Sequence, residues 1–247
     1  SYLMLLFLFK KQDQLELKDE TLALLVKLLV CFFVRRSLTD TPPTRDLERL
    51  FISICESLES EGLKGIAAAE YIKKRLVDVS ASDASFKERL EGPIYDVNPD
   101  MTRYILTVIA SPSVTKEMKP LWERYASGNY VWTIEHIFPQ GKNIPDEWVK
   151  MVADGDMSKA IEVQEKQVHT LGNLTITGYN SKLSNMPFVT KRDRKDVNGA
   201  NVGYRNGLNL NDELVNTDTW TSEQIQERTD KLVGLTLKAF DFDEIEF

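Results

Sequence analysis

Only two histidines occur in the 247 residues, His136 and His169. An imidazole has its ordinary pKa near neutrality, so a well-placed one can take a proton from water at working pH. His136 follows an acidic neighbour in Trp132-Thr133-Ile134-Glu135-His136-Ile137-Phe138-Pro139. A carboxylate such as that of Glu135 is a hard oxygen donor of the kind that holds a divalent cation. By itself a Glu-His pair at a strand end is ordinary, and a structural role explains it. A second segment gives the pair weight: His169-Thr170-Leu171-Gly172-Asn173-Leu174-Thr175-Ile176-Thr177-Gly178-Tyr179-Asn180-Ser181-Lys182-Leu183-Ser184-Asn185. Lys182 and Lys191, with Arg192, Arg194 and Lys195, form the one dense basic segment. Such a run is either a solvated face or a set of phosphate contacts that position a nucleic acid without reading its sequence.

The elements that must hold these groups divide in two, residues 1–127 and residues 128–247. The first part reads as all-helical. Leu22, Leu25, Val26, Leu29, Val30 and Phe33 recur at three- and four-residue spacing, the stripe of a helix packed on other helices. After Pro42-Pro43, Thr44 is placed to cap a helix whose Leu47, Leu50, Phe51, Ile54, Cys55 and Leu58 make one apolar face. Further helices are predicted over 67–76, 83–90 and 101–110, and one starts near Pro120 and runs through Trp122 and Tyr125. The pattern changes at Ser127-Gly128-Asn129. Residues 130–134 and 174–177 read as strands, with helices between them over 145–152 and 157–168. Another helix starts at 179–183. Thr221 and Gln224 stand as a capping box, with Trp220 and Ile225 as its hydrophobic staple. The apolar stripes, Trp132 and Trp148 are read as packing, and no repeat supports a solenoid.

Composition narrows the class. Two cysteines, Cys31 and Cys55, are too few for a cysteine-based zinc site and fit buried thiols in a reducing compartment. The apolar runs at 4–9 and 22–34 are separated by a charged stretch and are too short to span a bilayer, so a cytoplasmic protein without a membrane partner is expected. The net charge of -7 argues against a surface coated in nucleic acid but allows a local basic channel. The chain starts inside an apolar run without an initiator Met, as a piece of a longer protein would.

Together, Glu135-His136-Ile137-Phe138-Pro139, Gly172-Asn173-Leu174-Thr175-Ile176, Asn180, Asn185, Phe188 and Lys191 resemble the HNH-type nuclease region at the C-terminus of GmrSD-like restriction proteins. The likeness runs from about Tyr130 to Phe240 and weakens toward Trp220, Ile225 and Arg228. It implies a mostly α chain with a small α+β core of the ββα-metal (His-Me finger) type. It also implies a metal-dependent DNA endonuclease in a restriction or antiviral defence system that acts on modified DNA. On that resemblance His136 is the general base and Asn173 orients its ring. Glu135 and Asn180 hold one Mg2+ or Mn2+, with Asn185 an alternative to Asn180. Asparagine in place of the more usual histidine favours these hard ions over zinc. His169 and Asn185 are accessory candidates, His169 either touching phosphate or capping the preceding helix. The family's N-terminal nucleotide-hydrolysing module has no counterpart here, since no Walker-type loop occurs. The alternative is an inactive nuclease-like domain that binds DNA or protein.

Overall fold

A computed structural model describes residues 2–247. The chain separates into two compact units, Ser1–Lys87 with Phe240–Phe247, and Glu88–Ala239. The division therefore falls about forty residues before the expected 127/128 boundary, and the last eight residues return to the first unit.

The first unit is built of α1 (Tyr2–Lys10), α2 (Asp19–Thr39), α3 (Thr44–Ser60), α4 (Gly65–Val79) and most of α5 (Asp83–Glu91). Leu25, Leu28, Phe32, Ile54, Leu58, Ile72 and Leu76 bury the predicted apolar faces. Buried Arg35 anchors the returning tail. Its guanidinium lies 4.8 Å from the Phe86 ring and 4.9 Å from that of Phe242, and it donates to the Ala81 carbonyl. Lys73 donates to the Ile245 carbonyl at 2.8 Å. Among the described residues no helix is long and apolar enough to cross a membrane.

The second unit contains the motifs. It opens with α6 (Ile94–Val97) and α7 (Pro99–Ala110), followed by turns and β1 (Thr133–His136). Then come α8 (Asp146–Ala153), α9 (Met157–Gln167), β2 (Leu174–Thr177), α10 (Asn180–Leu183), α11 (Phe188–Arg192), α12 (Asp212–Val215) and α13 (Ser222–Ala239). β1 and β2 pair antiparallel, with Thr133 opposite Thr177 and His136 opposite Leu174. They form the only named sheet among the described residues, so the chain is mostly helical with a two-stranded hairpin-like centre. Phe138, Trp148, Phe188, Tyr204 and Trp220 link ring to ring below it, with centroids 5.5–6.3 Å apart.

Two local expectations shift. The first strand runs over 133–136 instead of 130–134, because Tyr130 is taken up by a bridge to Arg124. Residues 120–125 form turns in place of the expected helix. The Tyr130 ring sits between the guanidinium groups of Arg103 and Arg124, at 3.5 and 3.6 Å, and Arg103 also donates to the Leu121 carbonyl. These contacts fold the segment back on itself. The C-terminal capping box forms as read, since Thr221 N–H donates to Gln224 Oε1 at 2.9 Å and Gln224 N–H to Thr221 Oγ1 at 3.3 Å.

Candidate active site

β1 carries Glu135 and His136 to opposite faces of the hairpin, as successive residues of a strand must. The strand remains regular through His136, so no bend brings the two side chains into one pocket. This separation decides the roles of both.

On one face Glu135 is 3% exposed. Its Oε1 accepts from Lys191 Nζ at 2.7 Å, and the same ammonium donates to the His136 carbonyl at 2.8 Å and the Ile137 carbonyl at 3.1 Å. Lys191 is 0% exposed, and its three donors meet three acceptors. Burial pushes Glu135 up and Lys191 down from their ordinary pKa values, while their mutual attraction opposes both shifts. The buried Tyr204 hydroxyl is raised by burial and by the neighbouring carboxylate. Gly203 makes the approach possible, because a Cβ there would stand 2.0 Å from the Lys191 carbonyl. A cation would have to displace a satisfied ammonium from a sealed carboxylate, which is costly without a replacement partner. Asn180, the other expected ligand, is held by its Nδ2 donating to the Ile134 carbonyl. The Glu135 carboxylate, sealed by Lys191, therefore does not fit a metal site, whereas the Asn180 bond uses its nitrogen and not the Oδ1 that would meet a cation. Among the described residues no cluster of three His, Cys, Asp or Glu side chains is arranged to hold one.

On the other face His136 is 7% exposed. Its Nε2 lies 3.1 Å from His169 Nδ1. His169 Nε2 in turn lies 3.4 Å from Asp96 Oδ1. Tyr95 packs edge-on to His136 at 4.7 Å and stacks on His169 at 5.3 Å with 14° between planes. The backbone joins the two segments, with Tyr95 N–H donating to the His169 carbonyl at 3.2 Å. Burial first, then the charges of His169 and Lys191, lower the His136 pKa to about 3. Its ring is neutral at neutral pH, as a proton acceptor must be.

Asn173 is fully buried and does not touch His136. Its Oδ1 accepts from Phe138 N–H at 2.7 Å and from Trp220 Nε1 at 3.3 Å. Its Nδ2 donates to the Phe138 carbonyl at 2.9 Å and the Val168 carbonyl at 3.0 Å. Two acceptor and two donor bonds exhaust an amide, leaving none for an imidazole. Asn173 instead fixes the chain two residues beyond His136. Its own position comes from Gly172, whose missing Cβ would lie 2.0 Å from the Ile225 carbonyl of α13. Arg228 of the same helix binds the Gly172 and Leu174 carbonyls at 2.6 and 2.8 Å.

The basic segment divides likewise. Lys191 is buried, and Arg192 is engaged by both carboxylate oxygens of Asp193 and by Asp218 at 2.6–2.9 Å. Those two cations are structural, contrary to the expected phosphate contacts. Arg192 and Arg205 hold the Asp193 carboxylate down at about 2. Lys182 and Lys195 are exposed, Arg194 is half-buried, and Asn185 is exposed beside Gly141. Asp96 and Tyr95 escaped the sequence reading. They lie between Pro93 and Pro99 in a stretch without periodicity, about forty residues before His136.

A depressed imidazole pKa links the site to acid stability. As pH falls through about 6.5 the unfolded chain protonates His136 while the folded chain does not until about pH 3. This contribution is therefore fully present above the unfolded value and is lost on going down. The slope from this residue is at most about 1.4 kcal/mol per pH unit. His169 and Tyr95 contact the ring, Asp96 stands behind His169, and Lys191 acts from the hairpin's other side. Urea titrations from pH 7 to 4 should show a shallower loss of stability in His136→Gln than in the parent chain; parallel curves would contradict a buried neutral ring.

Two short strands, an amide-locked loop and a pair of imidazoles, one buried and one half-buried, define a histidine-centred site on a small hairpin. The chain belongs to the family described as GmrSD restriction endonucleases, C-terminal domain, which matches residues 80–235. The match covers more than half of the chain and takes in Tyr95 and Asp96 as well as both motifs. No curated protein matches the chain.

Proposed function

We propose that the second unit is an HNH-type deoxyribonuclease that hydrolyses DNA phosphodiesters with His136 as the general base. The observation that carries this reading is a strand-end imidazole with one nitrogen 3.1 Å from His169 Nδ1, in a restriction-endonuclease family domain. The other ring nitrogen takes the proton of the attacking water. The order β1, β2, then the short α10 against β1 supports a ββα reading of the nuclease core. A divalent ion such as Mg2+ or Mn2+, expected from the family, supplies positive charge at phosphate when bound. Groups other than the Glu135 carboxylate would have to hold it. A role in restriction or antiviral defence against modified DNA, gated by a nucleotide-hydrolysing module beyond this chain, follows from the family resemblance.

Plasmid DNA incubated with the full chain and Mg2+ or Mn2+, with a chelator arm, tests the proposal against His136→Ala. Nicked or linear product from the parent alone supports it. Equal cleavage by both chains, or none by either, overturns it. The sealing of Glu135 by Lys191 favours one second reading, an inactive nuclease-like domain, and DNA binding without cleavage is its signature.

Of the expected phosphate contacts, Lys182 and Lys195 are exposed and Arg194 is half-buried, and these remain to meet the backbone. Lys182→Ala and Lys195→Ala should each weaken DNA binding uniformly across sequences and lower the salt slope by about 1. Fluorescence anisotropy at several salt concentrations reads both effects, and an unchanged slope would place the DNA elsewhere.

A further inference from the structure

We propose that Asp96 and His169 form a positioning relay that fixes the tautomer of His136 and leaves its Nδ1 as the proton acceptor. The inference deepens the hydrolytic reading and rests on it for its kinetic consequence, but the relay itself is a statement about two rings and one carboxylate.

Three contacts carry it. Asp96 Oδ1 stands 3.4 Å from His169 Nε2, and a carboxylate at that nitrogen favours the tautomer with hydrogen on it. With hydrogen on Nε2, His169 Nδ1 is an acceptor. It lies 3.1 Å from His136 Nε2, so His136 must donate from Nε2. The lone pair of His136 then resides on Nδ1. Tyr95 stacks on the His169 ring with 14° between planes and donates its N–H to the His169 carbonyl, which holds Asp96 beside that ring.

Proton transfer can follow the same line. When water gives its proton to Nδ1, the His136 ring gains positive charge inside a site where it is 7% exposed. His169 can share that charge by accepting the Nε2 proton at Nδ1 as its own Nε2 proton moves toward Asp96. No net electrons move, and the proton count is conserved along the chain. Asp96 is 59% exposed, so the excess proton reaches a group in contact with solvent. A surface carboxylate is thereby coupled to a buried base. Neither spacing nor type marks Asp96 for this in the sequence, and the placement of α6 against His169 is what brings it there.

The two-histidine composition makes the test direct, since imidazole 15N spectra contain signals from these rings alone. In the full chain near neutral pH both rings should report hydrogen on Nε2. Asp96→Ala, a change at an exposed position, should leave the fold intact and move His169 to a tautomer mixture, with His136 following. In plasmid cleavage the same variant should lose kcat with KM unchanged, by less than the roughly 10⁴-fold that a carboxylate bonded directly to the catalytic base supplies. His169→Asn, whose side-chain oxygen can still accept from His136, should retain more activity than His169→Ala. Unchanged tautomers in Asp96→Ala, or hydrogen on His136 Nδ1 in the parent chain, would overturn the relay. If the parent chain cleaves no DNA, the nuclease reading falls while the spectra still decide the relay.

Discussion

Replacing His136 by alanine should lower the rate of DNA cleavage by about two to four orders of magnitude, the range that a positioned general base supplies. Burial keeps its ring neutral, His169 engages one nitrogen, and Tyr95 packs edge-on against the ring. No other imidazole can substitute directly, because His169 is held one step further along the same line. Affinity for DNA should be preserved, since the exposed cations Lys182 and Lys195 lie on other elements. Single-turnover cleavage separates the two quantities. A deletion at a site of 7% exposure also opens a small cavity, so His136→Gln, which keeps most of the volume, should be run beside it and show the same loss of rate. Comparable loss of binding and rate in both variants would assign His136 to DNA contact or folding in place of chemistry.

How far the site could be read from sequence depended on the range of the interaction. The Thr221–Gln224 capping box and β2 are local, and the residue types that make them also announce them. Thr44 shows the limit even at short range. Pro43 occupies the cap position, and the Thr44 hydroxyl instead accepts from Arg36 at 2.6 Å. Glu135 and His136 were found as a pair, yet period-2 alternation in a regular strand sends them to opposite faces. Asn173 was found as a positioning residue but for the wrong partner, because its bonds to Phe138 and Trp220 span 35 and 47 residues. The company of Arg192, Arg194 and Lys195 marks Lys191 as a phosphate contact. Only the tertiary fold reveals that it faces inward, toward Glu135, 56 residues earlier in the chain. Asp96 and Tyr95 carry no local signature at all.

The largest effect on stability is expected at that same ion pair. Lys191→Met should cost about 3–5 kcal/mol, because it leaves the 3%-exposed Glu135 carboxylate without its counter-charge. Two backbone carbonyls, those of His136 and Ile137, also lose their donor. For a chain of this size the loss corresponds to a fall in Tm of roughly 6–20 °C. With the ammonium gone, the attraction that opposes the upward push on Glu135 disappears, so its pKa should rise further. The added stability loss in the variant should therefore shrink as pH falls and Glu135 protonates. Glu135→Leu combined with Lys191→Met should recover much of the loss, since apolar side chains of similar size avoid burying either charge. Urea denaturation of the two single variants and the double variant closes the cycle, and costs that simply add would mean the pair contributes no coupling. A double variant that regains stability and still cleaves DNA would further show that Glu135 supports the hairpin without entering the chemistry.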